Sequence, residues 1–230
     1  MTSHVDVTIN IAACTEVDIP QCMEIISAAF QHNAPFVDIY FPNHDTTGRA
    51  QALERLHNWF TSDPDAQFLK AEKNGRVLGF AVWTHTLSSK NPSPNDLKDA
   101  EDVDAVWGRL GEDGEKEKRF VEQVWYSYVQ PRRAAVFAAP EGKGVMVLEV
   151  LAVHPESQRI GLGERLTRWG CEKADENGLE AIVEATRAGK RCYERCGFRT
   201  EIDQMIFDVE DQFKSRRLPD ISFMRRKRRE

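Results

Sequence analysis

The chain has 230 residues, of which 41% are apolar and 30% charged, which excludes a disordered or fibrous protein and leaves one large domain or two small ones; we expect one. No apolar run approaches the roughly 20 residues needed to cross a bilayer, and the opening MTSHVDVTIN lacks the basic and apolar pair of a signal peptide, so a soluble, cytoplasmic protein with no membrane partner is expected. Five scattered cysteines, Cys14, Cys22, Cys171, Cys192 and Cys196, form no CxxC pair, which argues against a disulfide framework and a structural zinc site.

The net charge of −6 is unevenly spread. Of 31 Lys and Arg, eight lie in residues 214–230 beside only Asp220 and Glu230 among 37 acidic residues, leaving 23 basic against 35 acidic side chains in the preceding body. Such a body attracts cationic molecules and disfavours nucleic acid. The ending RRKRRE reads as a nuclear address, as a partner for the acidic body, or as a solvated end. We expect a single domain over 1–213 followed by a solvated basic tail over 214–230.

In chain order, VDVTINIAA alternates as a strand, and TEVDIPQCMEIISAAF follows as a helix with Thr15 or Asp18 as cap and Pro20 in its first turn. An aromatic, proline-bearing connection, HNAPFVDIYFPNH, leads to a second helix from about Thr47 to Phe60. Two strands then flank Asn74-Gly75, a strong hairpin signal. Residues 88–143 read as an insertion: the breaker-rich SSKNPSPND, then two helical segments, the second carrying Phe120, Val121, Val124, Trp125 and Tyr128 before Pro131. That stripe is explained by core packing, or by an insertion that shapes a pocket.

GVMVLEVLAV, nearly all aliphatic, predicts a strand buried on both faces and ended by His154-Pro155. A helix from about Gly161 to Asn177 stops at Gly178. LEAIVEAT is another strand, AGKRCYERC a short helix and IDQMIFDVE a final strand. The alternation specifies an α/β domain whose sheet is mixed, because the Asn-Gly hairpin makes part of it antiparallel.

A strand opening directly into a helix exposes that helix's first unpaired N–H groups, and with the macrodipole these make an anion site. Gly161 and Gly163 let the backbone approach a diphosphate closely. A dinucleotide fingerprint requires a third small residue where Leu166 stands and belongs near a domain's start, and no Gly-Lys-Ser/Thr follows for a P-loop.

Gln158-Arg159-Ile160-Gly161-Leu162-Gly163, preceded by LEVLAVHPE, resembles the Q/R-x-x-G-x-G/A motif of the GNAT superfamily of N-acetyltransferases. EATRAGKRCYERCGF resembles that family's second landmark, with Tyr193 and Gly197-Phe198 in the expected order. The likeness is close over 144–209, one of layout over 5–85, and silent on 86–143. It implies a GNAT-like acyltransferase fold with a helical insertion, and acetyl-coenzyme A as co-substrate with no metal. Arg159, Ile160, Gly161, Leu162 and Gly163 would offer mainly backbone donors to the pyrophosphate, with Gln158 and Gly189 beside them. Leu151, Ala152 and Val153 would hold the pantetheine arm, Leu151 and Val153 by strand-like main-chain pairing.

Acetyl transfer to an amine needs a neutral nucleophile, a donor facing the oxyanion and a proton for the thiolate. An alkylamine with a pKa of roughly 10 is neutral in only about one molecule in a thousand at pH 7, so a base is required. Glu149, the one charged residue in its apolar strand, is the candidate; strand alternation places it on the face of Leu151 and Val153. The alternative is a Glu149 paired with Lys or Arg at a partly open strand end. Tyr193 reads on its own as a packed aromatic, and by resemblance as the group that protonates the leaving thiolate. Resemblance also places an oxyanion donor at the main chain near Leu151. A cysteine nucleophile at Cys192 or Cys196, or a metal on His154, has little support.

By family layout Phe30, Phe36, Tyr40, Phe41 and Trp83 wall the acceptor pocket, with core packing an equal reading for each. The acidic body then favours a small cationic amine over a histone tail. The competing function is a catalytically degenerate coenzyme A-binding or protein-interaction domain, or a protein or peptide N-acetyltransferase. A homodimer is compatible with the sequence.

Overall fold

In the computed structural model, which describes residues 9–30, 46–87 and 111–228, the chain forms β1 (Asn10–Ala13), α1 (Ile19–Phe30), α2 (Thr46–Ser62), β2 (Ala66–Lys73), β3 (Arg76–Thr86), α3 (Gly111–Ala138) and β4 (Val145–Val153). It continues through α4 (Leu162–Asn177), β5 (Glu180–Thr186), α5 (Arg187–Arg195), β6 (Arg199–Ile202) and β7 (Ile221–Arg226). The seven strands make one sheet in the order β1-β2-β3-β4-β5-β7-β6. All neighbours are antiparallel except β4 and β5. No helix among the described residues is long and apolar enough to cross a membrane.

Local sequence explains the elements. Thr15 and Asp18 form a capping box at the entry to α1, the Thr15 N–H donating to Asp18 Oδ2 at 2.7 Å. Ile19, Cys22, Met23, Ile25 and Ile26 then bury one helical stripe. Asn74 and Gly75, with φ of 54° and 75°, make the tight turn between β2 and β3. Gly178, at φ 65°, ends α4 by donating to the carbonyls of Ala174 and Asp175.

Helices cover both faces. Leu162, Leu166, Cys171 and Ala174 of α4 and Tyr193 of α5 pack on Ala81, Trp83, Met146, Leu148, Ala181 and Val183. On the opposite face, Phe120, Val124, Trp125 and Tyr128 of α3 meet Val145, Val147, Ile182 and Phe223. There too, Ile26 of α1 and Leu56 of α2 meet Phe80, Val82 and Ala152.

Three sequence expectations change. The predicted solvated tail over 214–230 contains β7, whose Ile221, Phe223 and Met224 are buried and which lies between β5 and β6. Its arginines are paired within the fold: Arg226 grips Asp175 at 2.8 and 2.6 Å, and Arg225 bridges Glu180 and Glu201, each at 3.0 Å. The charge density there masked a strand buried on both faces. The strand expected over IDQMIFDVE is shorter: only Arg199–Ile202 pairs, and Met205, Phe207 and Val209 are buried from irregular chain.

The third change is in the insertion, where α3 runs straight through Pro131. Proline cannot donate to the carbonyl of Ser127 four residues back, but Ser127 ties the helix to its surroundings by other bonds. Its hydroxyl donates to Gln123 O and accepts from the Asp208 N–H. The first helical segment expected in the insertion lies outside the described residues.

Candidate active site

The parallel pairing of β4 and β5 lasts for three positions, Val145 to Glu180, Met146 to Ala181 and Val147 to Ile182, and then the strands part. A cleft of about 2160 Å³ opens there. One side is lined by 157–159, 161–164 and α5; the other by Phe30, Trp59, Arg132 and neighbours from α1 to α3. Single-ligand pockets run to about 1,000 Å³, so this one has room for two reactants.

At the split, β4 bulges. Val82 faces Val150 and Trp83 faces Leu148, leaving Glu149 as an extra residue with no opposite number in the β3 ladder. Leu148 and Leu151 consequently both pack on the α4 side, while Val150 and Ala152 pack on the other. Glu149 points to the α3 side, where Arg132 reaches it. The expectation that Glu149 shares a face with Leu151 and Val153 is therefore corrected: simple alternation does not pass through a bulge.

The His154 N–H bonds to Leu78 O on β3 at 2.9 Å. By strand alternation Ala152 also turns its polar groups to β3, so Leu151 and Val153 present theirs to the split. Val153 O is already taken by Gln158 Nε2 at 3.1 Å, which fixes the loop to the strand end. Leu151 thus offers a free edge of peptide groups along the cleft, as strand addition requires.

The loop turns left-handed twice, at Arg159 (φ 64°) and at Gly161 (φ 86°), the N-cap of α4. A Cβ on Gly161 would touch nothing; its glycine answers the φ and leaves the approach to the helix N-terminus open. Gly163 differs. A Cβ there would stand 3.3 Å from Cys192 Sγ and 3.7 Å from Leu151, so its bareness serves the contact of α4 with α5 and β4 rather than the open side of the loop. Leu162 is buried beneath the turn, and Ile160 is 59% exposed.

Tyr193 is buried in α5 and faces the cleft. Burial, followed by the neighbouring Cys192 and Cys196, raises its phenol well above the ordinary range, so it carries its proton throughout the neutral range. Gly189 makes room for its ring, and the Gly189 N–H bonds to the Thr186 cap at 3.3 Å. Beside it, a hydrogen bond from Cys196 lowers the Cys192 thiol. All five cysteines are free thiols. No cluster able to hold a metal occurs among the described residues.

Sequence reading missed the two partners of Glu149 and the second carboxylate that shares one of them. Thr84 Oγ1 donates to Glu149 Oε1 at 2.9 Å; Arg132 Nη1 donates to both its oxygens at 2.9 Å; and the same guanidinium holds Glu184 of β5 at 3.0 and 2.7 Å. The alternative reading of Glu149, paired with an arginine at an open strand end, anticipated this kind of contact but not its source.

Of the expected acceptor residues, Phe30 lines the cleft and is half-buried. Trp83 does not line it: it is 0% exposed beneath α4, and its Nε1 donates to Leu166 O at 3.3 Å. A residue on the α4 face of β3 is covered by that helix, which the hairpin signal could not show. Tyr40, Phe36 and Phe41 lie outside the described residues.

The sheet thus parts between two parallel strands, with a glycine-bearing helix N-terminus at the mouth of the gap. The acetyltransferase (GNAT) family model matches residues 33–198, well over half of the chain, and the chain belongs to that family. Solved structures share its fold. They include "histone acetyltransferase HPA2 and related acetyltransferase" from Corynebacterium glutamicum, at 16% identity and TM-score 0.60 over 97% of this chain and 98% of that one. Arylalkylamine N-acetyltransferase 2 from Aedes aegypti matches at 12% and 0.58 over 95% and 98%. The polyamine N-acetyltransferase of Drosophila melanogaster, described as forming N-acetylagmatine, matches at 15% and 0.56 over 95% and 98%. A search of curated protein sequences gave no match.

Proposed function

We propose that the protein transfers an acetyl group from acetyl-coenzyme A to the primary amine of a small molecule, by direct attack with both reactants bound. The observation that carries this is the split itself: β4 and β5 part beyond Val147 and Ile182, and the gap leads to the left-handed Gly161 at the start of α4. The residues present suit such a donor. Leu151 offers unpaired peptide groups for an amide-bearing arm, and the first N–H groups of α4 suit a diphosphate.

Acetyl-coenzyme A supplies an activated acyl group on a thioester. The chain's own residues do the rest. Glu149 accepts the amine's proton through water, the main chain near Leu151 donates to the oxyanion, and Tyr193 gives its proton to the departing sulfur. Phe30 and Trp59, with Asp63 and Asp65 at the same end of the cleft, suit a cationic amine with an apolar body. Solved structures that share the fold include proteins described as acting on polyamines, agmatine and arylalkylamines, which supports a small acceptor.

The test is release of free thiol from acetyl-coenzyme A with a panel of polyamines, agmatine, arylalkylamines, amino sugars and amine-bearing peptides. Turnover with small amines is expected. Turnover with peptides alone would overturn the small-acceptor reading, and none with any amine would overturn the reaction.

A further inference from the structure

Where β4 and β5 separate, one side chain joins them again. Arg132 reaches in from α3 and binds Glu149 at the β4 bulge through Nη1 and Glu184 of β5 through Nε and Nη2, four contacts between 2.7 and 3.0 Å. The group is shielded: Arg132 and Glu149 side chains are 15% and 18% exposed, Glu184 1%. Two carboxylates thus share one guanidinium. Burial alone would make Arg132 easier to deprotonate, but the two glutamates more than offset it and hold it charged.

We propose that Arg132 is a positioning residue for the transfer reaction, holding Glu149 aimed beside Glu184 while the strands stay apart for the donor. This rests on the reading of Glu149 as the base. Without Arg132, two carboxylates would face each other in a shielded site, and one would keep its proton to higher pH, since like charges disfavour joint ionisation. Other charged and polar groups lining the same cleft are Thr84 and His85 from β3, Tyr128 and Arg133 from α3, Arg55 from α2, Asp63 and Asp65 after it, Arg187 from α5, and Arg217 and Asp220 before β7. His85 is engaged with Lys143 O at 2.6 Å, and Tyr128 donates to Glu184 at 3.4 Å. A planar fork serves two carboxylates at once; a lysine ammonium brings the charge without that geometry.

The experiment compares the acid limb of kcat/KM in wild type, Arg132→Gln, Arg132→Lys, Arg132→Gln/Glu184→Gln and Glu149→Gln, with acetyl-coenzyme A affinity measured on each. Arg132→Gln should move the limb up by about one pH unit or more. Arg132→Lys should return part of that shift, and the double variant, lacking the second carboxylate, most of it. Should Arg132→Gln fail to fold, Arg132→Lys and the double variant still report the limb. A limb unmoved in every folded Arg132 variant, while Glu149→Gln abolishes the wild-type limb, overturns the positioning role alone. A limb unchanged in Glu149→Gln overturns the base assignment instead.

Discussion

The ring of Tyr193 fills the space that a side chain on Gly189 would need: a Cβ at Gly189 would stand 2.8 Å from a ring carbon. Tyr193 is thereby pinned against the first turn of its own helix, and Phe198 meets it edge-on at 6.0 Å between ring centres. The tyrosine's position is set by packing, and its hydroxyl is left to the cleft.

Tyr193→Phe should therefore keep the fold while losing the proton donor. We expect an unchanged melting temperature and donor affinity, with kcat lower by roughly 100-fold. Gly189→Ala should lose stability as well as rate, since the ring has to move. Because burial raises the Tyr193 phenol, it stays protonated as pH rises through neutrality, and an alkaline loss of rate near neutral pH would belong to another group. Steady-state kinetics with thermal melts separate these outcomes.

Glu149→Gln removes the proposed base and should slow turnover most above the acid limb of the wild type and least below it, where the wild-type base is already protonated, while leaving coenzyme A affinity intact. Isothermal titration beside the pH profile checks both halves. Equal loss at every pH would show that Glu149 contributes structure and not proton transfer.

A Cβ on Gly170 would lie 2.1 Å from the indole of Trp83, a collision with a large buried ring. Gly170→Ala should cost about 1–3 kcal/mol of stability, read by denaturant unfolding. Trp83→Phe should likewise lower stability with the acceptor KM unchanged, because Trp83 is roofed by α4 and stands away from the cleft. A raised KM at unchanged stability would return Trp83 to the acceptor wall.

Deleting residues 214–230 removes β7 and strips β5 and β6 of their shared neighbour. The shortened chain should fail to give a cooperative melt by circular dichroism. A folded, active truncation would show that β7 is dispensable.

These cases mark where the sequence was legible. Gly161, Tyr193 and the Asn74-Gly75 turn carry their meaning locally, in a backbone angle or a fixed motif spacing, so they can be read without the fold. Glu149 was visible as a charge in an apolar strand, but its direction depends on a bulge in the pairing with β3, and its partners come from residues 84 and 132. β7 was hidden because its buried Ile221, Phe223 and Met224 sit beside arginines whose carboxylate partners lie far away in sequence. Trp83 was misread for a related reason: which strand face a helix covers is decided by the whole sheet.

The central claim is that the gap between β4 and β5 binds acetyl-coenzyme A, and thermal melting with candidate ligands tests it most directly. At a hundredfold excess over Kd, acetyl-coenzyme A should stabilise the protein by about 2.7 kcal/mol, a rise in Tm of roughly 5–10 °C, while NAD and ATP leave Tm where it was. An equal rise with NAD, or none with acetyl-coenzyme A, would contradict it.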